Sequence, residues 1–448
     1  MEKPDTMEAY LAAVAEQIRW RRARGAVTQE LRWHLEEQRD AFSREGRSIE
    51  EAERLAVAEM GDPVSVGAEL DRLHRPRPQW GLLALTAALF LAGTALRLWA
   101  AALLRRAWPA VDPEPLRTLG AAALGCGVLA AAYLADARLL LRHAGWAYLA
   151  AVALGFLSLW ALPHVNHAAY YTRYVLLLYP AVYATYLASL EGNGWKGVLL
   201  ATASLAPMLT VCLLAPYLGG CVLLLTVGPV LLVFAAGQDR FGVGRRQGLT
   251  AVGGGALCLL TVGTAALWSP LQRRLPVLLH PQLDPMGRGY QAMAVRRALA
   301  GASWWGPGTW AVTDPVAEVV PGGLDGDFLL TTVICRLGWL PFLLLTAALT
   351  ALAVWLLARG IRRADRRGQL LALTVGLTLG LQLALSAALN LGFVFASAHM
   401  PLVTGNLHSI VDMGLIGLAL SVFRGASLPE APSGDGGRQV LLTLRLRL

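Results

Sequence analysis

The rhythm of apolar positions changes at Trp80. Ahead of it, apolar residues recur every three or four places, as on one face of a helix. Met7, Tyr10, Leu11, Val14 and Ile18 form the first such face, and Leu31, Leu35 and Phe42 a second, in a helix that can open at Thr28 and stop at Gly46. Ser48 and Glu51 make an S-x-x-E capping box ahead of Ile49, Ala52, Leu55 and Ala56. Gly61 suits a left-handed helix end, and Asp62-Pro63 opens a short fourth helix reaching Leu73. From Trp80 onward the pattern becomes apolar runs of about 20 residues, the length of a membrane-crossing helix. Spans are expected near 80–103, 118–135, 144–163, 171–190, 197–215, 218–236, 249–268, 327–357, 369–390 and 405–423. The expected fold is all-α, with residues 1–79 a cytosolic helical domain and linker and 80–425 a ten-span membrane domain. A large extracytoplasmic loop covers 269–326, and the Pro-, Ser- and Gly-rich tail 426–448 reads as disordered.

Composition supports a polytopic membrane protein: the 448 residues are 56% hydrophobic and 15% charged, with mean hydropathy +0.50. Residues 1–79 hold 16 of the 30 acids and 13 of the 39 bases, which leaves 14 acids against 26 bases in the rest. That basic excess falls in short loops, at His74–Pro78, Asp239–Arg246 and Arg359–Arg367. Ten spans put all three on the side of the N-terminus, so the charge orients both termini toward the cytoplasm and does not point to nucleic acid. Arg105 and Arg106 fall on the other side and run against the rule. The charged N-terminus does not read as a cleavable signal peptide. Cys126, Cys212, Cys221, Cys258 and Cys335 stand singly in apolar segments and read as small buried hydrophobes. Gly219-Gly220 and Gly253–Gly255 are candidates for close helix approach.

The polar stretch from Leu283 to Trp339 is where chemistry is expected. It carries Asp284, Asp314, Glu318, Asp325 and Asp327, with Arg288, Arg296, Arg297, Trp304, Trp305 and Trp310. So long a polar loop between two spans exceeds what a connection needs. Asp327 stands at the mouth of the eighth span, where it can cap a helix, act as a base, or do both. Arg173, at the outer end of the fourth span, either snorkels to the interface or binds an anionic head group. His399 and His408 are nine residues apart and read as lone side chains with no metal-ligand spacing.

Ordered motifs in this region resemble a known family. Asp284-Pro285 followed by Gly289-Tyr290-Gln291, the Trp305–Gly308 turn, Asp327-Phe328, Leu337-Gly338, Asn390-Leu391-Gly392 and Pro401 with Thr404-Gly405 are similar, in order, to motifs of the SEDS family. These are the shape, elongation, division and sporulation membrane proteins typified by FtsW and RodA. Residues His34–Leu70, with Met60-Gly61-Asp62-Pro63, resemble a helical prefix domain found ahead of bacterial permeases. The SEDS resemblance implies a glycosyltransferase of the cytoplasmic membrane that polymerises lipid II-type precursors at the outer face. Asp327 would be its catalytic base. Arg173, Arg288, Tyr290, Gln291 and Arg296 would bind substrate, Tyr290 and Gln291 either orienting it or locking the loop. No protein-bound metal is implied, although a divalent cation can accompany the lipid pyrophosphate, and a class B penicillin-binding protein is the implied partner. Departures from the pattern keep an inactive scaffold open as the alternative, with a lipid flippase behind it. The family's acids are lost at Tyr179–Val182 and Ala215–Gly219, and its two glutamates before the Leu-Gly pair are Cys335 and Arg336.

Overall fold

The computed structural model describes residues 6–74, 79–107, 115–135, 137–164, 169–266, 268–287, 289–309, 327–362, 366–393, 399–403 and 407–424. Arg288, Trp310, Asp314, Glu318, Asp325, Thr404, Gly405 and the tail 426–448 lie outside them. The described residues divide into two compact units, one within the first 78 residues and one from Gln79 to Val422.

The first unit is four helices, Met7–Gln17, Arg21–Arg44, Ile49–Glu59 and Pro63–His74. Their apolar faces meet in a core of Tyr10, Val14, Ile18, Val27, Leu35 and Ala56. The second helix begins at Arg21 rather than Thr28, because Ala23 and Val27 extend its apolar face into that core. Local caps set the other boundaries. Ser48 Oγ accepts from the Glu51 amide at 3.3 Å, Gly61 turns at φ +84°, and Asp62 Oδ2 accepts from the Ser65 amide at 2.9 Å. Burial, with Asp62 nearby, pushes the Tyr10 phenol up to about 12.

The second unit is a helical bundle. Among the described residues nine helices are long and apolar enough to cross a membrane: Trp80–Ala102, Pro115–Leu134, Ala144–Ala161, Gly194–Leu214, Leu218–Gly237, Arg245–Ala266, Trp339–Ile361, Gly368–Asn390 and Leu407–Arg424. The protein is an all-helical polytopic membrane protein. Helices 218–237, 366–390 and 407–424 form its buried centre, whereas 144–161 and 245–266 present Trp146, Trp160, Leu257 and Val262 outward. Of the candidate close-approach glycines, Gly253 and Gly254 face open space. Gly255 of the same run does pack closely, since an added Cβ would lie 2.6 Å from Thr202 Cγ2, and so does Gly417, 2.7 Å from the Leu129 carbonyl.

Two sequence-defined spans are broken. Residues 171–190 form a short helix, Thr172–Leu176, and a longer one, Tyr179–Ser189, that is almost wholly buried. The stretch 327–357 is not continuous either. A helix Leu329–Leu337 ends at Gly338, whose φ of +100° turns the chain, and Trp339–Ile361 then crosses alone. Near the opposite end of the bundle Arg240, 2% exposed, bonds Glu191 Oε1 and the Arg366 carbonyl through Nη1, at 2.7 and 2.6 Å. It also donates to Gln369, so one side chain ties three connections together.

Candidate functional site

Asp327 precedes the Leu329–Leu337 helix, whose N-cap is Phe328 and which no side chain of its own segment caps. The capping group arrives from another helix. Asn390 Oδ1 accepts from the Thr331 amide at 2.8 Å, and Asn390 Nδ2 donates to the Asp327 carbonyl at 2.7 Å and the Ser386 carbonyl at 2.8 Å. A helix start leaves its first amides without partners, and Asn390, fully buried, fills one of them while fixing the backbone of Asp327. The Asp327 carboxylate is thereby free to turn away from the helix.

It turns toward His399, whose Nδ1 lies 2.8 Å from Asp327 Oδ1, a contact not aligned as a full hydrogen bond. The His399 ring lies against that of His408, tilted by 36° with centroids 3.7 Å apart, and His408 packs on Tyr174 at 4.4 Å. Both imidazoles are 4% exposed, and none of their nitrogens has a hydrogen-bond partner among the described residues. Arg173 is close enough for its charge to act on Asp327 and His408. It is 5% exposed, with its guanidinium 3.3 Å over the Tyr170 ring and 5.4 Å from that of Tyr174. An Arg so buried sits among rings, not in interfacial water. Tyr217, Gly219, Gln382, Leu385, His399 and His408 line a cavity of about 20 Å³ beside this cluster.

The loop motifs play a different part. Gly289 packs against backbone, since a Cβ there would lie 1.9 Å from the Pro281 carbonyl. Its amide donates to the Asp284 carbonyl at 2.9 Å, so Gly289 closes a turn on Asp284 directly ahead of the helix Tyr290–Ala300. Tyr290 and Gln291 are exposed on its first turn. Arg296 reaches the Leu278 carbonyl at 3.5 Å and the Phe393 ring at 5.3 Å, against Gly392. The turn at Gly306 docks on the end of the Leu329–Leu337 helix. Gly306 and Gly308 amides donate to the Leu337 and Cys335 carbonyls at 2.9 and 3.0 Å, and the Trp339 amide to the Ser303 carbonyl at 3.1 Å. Of the candidate site residues the structure thus gathers Arg173 with Asp327, places Tyr290, Gln291 and Arg296 on a supporting helix, and does not describe Arg288.

The folded chain overlaps a known family. The cell cycle protein family of FtsW, RodA and SpoVE matches residues 170–422, more than half of the chain. The chain belongs to this family. A solved peptidoglycan synthase complex, described by its coordination of polymerization and crosslinking, is similar at TM-score 0.59 and 22% identity, over 78% of this chain and 98% of its own. The rod shape determining protein RodA of Thermus thermophilus is similar at TM-score 0.51 and 20% identity, over 78% and 97%, and a point mutant of it over 78% and 98%. These likenesses concern the fold. No curated protein sequence matches the chain.

Two features of the site were not foreseen. His399 and His408 are not lone side chains, because their rings lie against one another with centroids 3.7 Å apart. The helix 366–390 carries Thr374, Thr378, Gln382, Ser386 and Asn390 on one buried stripe. Its four-residue spacing was visible in the sequence and is the signal that leads to Asn390. Each member of the stripe is at most 8% exposed.

Proposed function

We propose that this chain polymerises glycan strands from lipid-linked disaccharide precursors at the outer face of the cytoplasmic membrane, with Asp327 as general base. The acceptor sugar hydroxyl attacks the anomeric carbon of the donor. As the new C–O bond forms, the bond to the polyprenyl pyrophosphate breaks and its electron pair leaves with the pyrophosphate. The hydroxyl proton passes to the Asp327 carboxylate. The observation carrying this reading is the Asp327 carboxylate itself: a quarter exposed, held by its backbone, and within reach of the Arg173 charge. Arg173 supplies the cation that a leaving pyrophosphate requires. Among the described residues no group of three His, Cys, Asp or Glu side chains is arranged to hold a metal. A divalent ion at this site would arrive with the pyrophosphate. Both termini are assigned to the cytoplasm, and a class B penicillin-binding protein is the partner this reading calls for.

One observation favours a second reading, a scaffold without activity. Val182 and Tyr217, where the family resemblance leads one to expect acids, are partly buried and carry no carboxylate. Polymerisation of labelled lipid II by the purified protein, alone and with the partner, decides between them. The enzyme reading expects glycan from wild type and a loss of about 10²–10⁴-fold in Asp327→Asn, the usual contribution of a positioned base. Lipid II bound by both proteins without any product would establish the scaffold.

A further inference from the structure

We propose that His399 is a positioning residue for Asp327, holding one carboxylate oxygen so that the other faces the acceptor hydroxyl. The inference rests on the polymerase reading above, and neither histidine belongs to the motifs on which the family resemblance was drawn. Asp327 is held from two directions. Asn390 fixes its carbonyl at 2.7 Å, and His399 Nδ1 meets Oδ1 at 2.8 Å. The imidazole is itself fixed, since His408 covers one face at 3.7 Å and Tyr174 backs His408 at 4.4 Å. Among the described residues Arg173 and Tyr217 are also close enough to interact with Asp327, and Asp412 with Tyr217. Arg173 favours the charged carboxylate, but its guanidinium is engaged with tyrosine rings.

Burying imidazole nitrogens without partners is costly, and leucines at 399 and 408 would not carry that cost. His399 lines the cavity and lies against the Asp327 carboxylate, so its burial has a use if it orients that group. An incomplete alignment in the ligand-free protein is what catalytic contacts commonly show before substrate tightens them.

The test uses the full chain in lipid nanodiscs with labelled lipid II, comparing wild type, Asp327→Asn, His399→Leu and His399→Asn, whose amide nitrogen can take the place of Nδ1. His399→Leu is expected to lower kcat about 10- to 100-fold, the usual weight of a supporting carboxylate–imidazole contact, with KM unchanged. His399→Asn should restore most of the rate, which a merely structural role would not require. A second readout does not depend on turnover. In ¹⁵N-histidine spectra the signal missing from His399→Asn identifies His399, and Asp327→Asn should move it. That measurement stands even where His399→Leu fails to fold. A His399→Leu enzyme as fast as wild type, or a His399 signal indifferent to Asp327→Asn, overturns the inference. Glycan from no variant, wild type included, while the signal still moves, removes the polymerase reading. The contact then stays real and the positioning role falls with the reaction.

Discussion

Asn390 serves two structures at once: it supplies the missing cap of the Leu329–Leu337 helix and fixes the carbonyl of the residue carrying the carboxylate. Removing its amide leaves the Thr331 amide and the Asp327 carbonyl buried without partners. Each orphaned group costs about 1–3 kcal/mol, so Asn390→Ala should lower the thermal midpoint of the purified protein. It should also reduce glycan formation beyond what the loss of folded protein accounts for. Asn390→Asp separates the two effects, since it keeps the acceptor for Thr331 but loses the donor to Asp327. A variant with native stability and native rate at Asn390→Ala would show that the helix start is held by other means. The Asn-Leu-Gly motif was legible in the sequence, whereas its role was not, because the partner Thr331 lies 59 residues away. The same separation hid the Asp327–His399 contact.

At the scale of elements, hydropathy alone cannot see a break that is itself apolar. Residues 327–357 read as one span because Leu329–Leu337 and Trp339–Ile361 are both apolar; only Gly338 separates them. Its φ of +100° is open to glycine and costly for other residues. The loop at Ser303–Gly308 then packs into the corner so closely that a Cβ on Gly338 would lie 2.6 Å from the Trp304 carbonyl. Gly338→Ala therefore combines backbone strain of about 1–3 kcal/mol with a clash against backbone that cannot move aside. It should lower the thermal midpoint markedly and disturb Asp327 through the shifted helix. Gly253→Ala, in open space on the Arg245–Ala266 helix, is the matched control and should be neutral or slightly stabilising. Equal midpoints for the two variants would mean that the corner relaxes freely. Helix starts with a capping residue, at Ser48 and Asp62, were read to the position because their signals are local, whereas the uncapped start of the second helix was expected at Thr28 and lies at Arg21.

For the whole molecule the count of crossings decides the topology, and it turns on the broken pair Thr172–Leu176 and Tyr179–Ser189. Nine crossings would put the first span's start and the Leu407–Arg424 end on opposite sides. They would also set the basic loop Asp239–Arg246 across the membrane from the basic linker before Trp80. Counting the broken pair as a tenth brings both basic segments, and Arg359–Arg367 with them, to one side, as the positive-inside tendency requires. The pair is suited to crossing within the bundle. Tyr179, Tyr183, Ala184 and Ala188 are all buried in its core, so the interrupted backbone is covered by protein and not exposed to lipid. Single cysteines in a chain whose own five are replaced by serine would test this in intact cells with a membrane-impermeant maleimide. Met286→Cys, at a side chain 91% exposed on the loop before the Tyr290–Ala300 helix, should label from outside. Gly242→Cys, in the Asp239–Gly244 turn, should label only after the membrane is opened. Labelling of Gly242→Cys in intact cells would reduce the crossings before it to an odd number. The basic loop would then lie outside, and the broken pair could no longer count as a span.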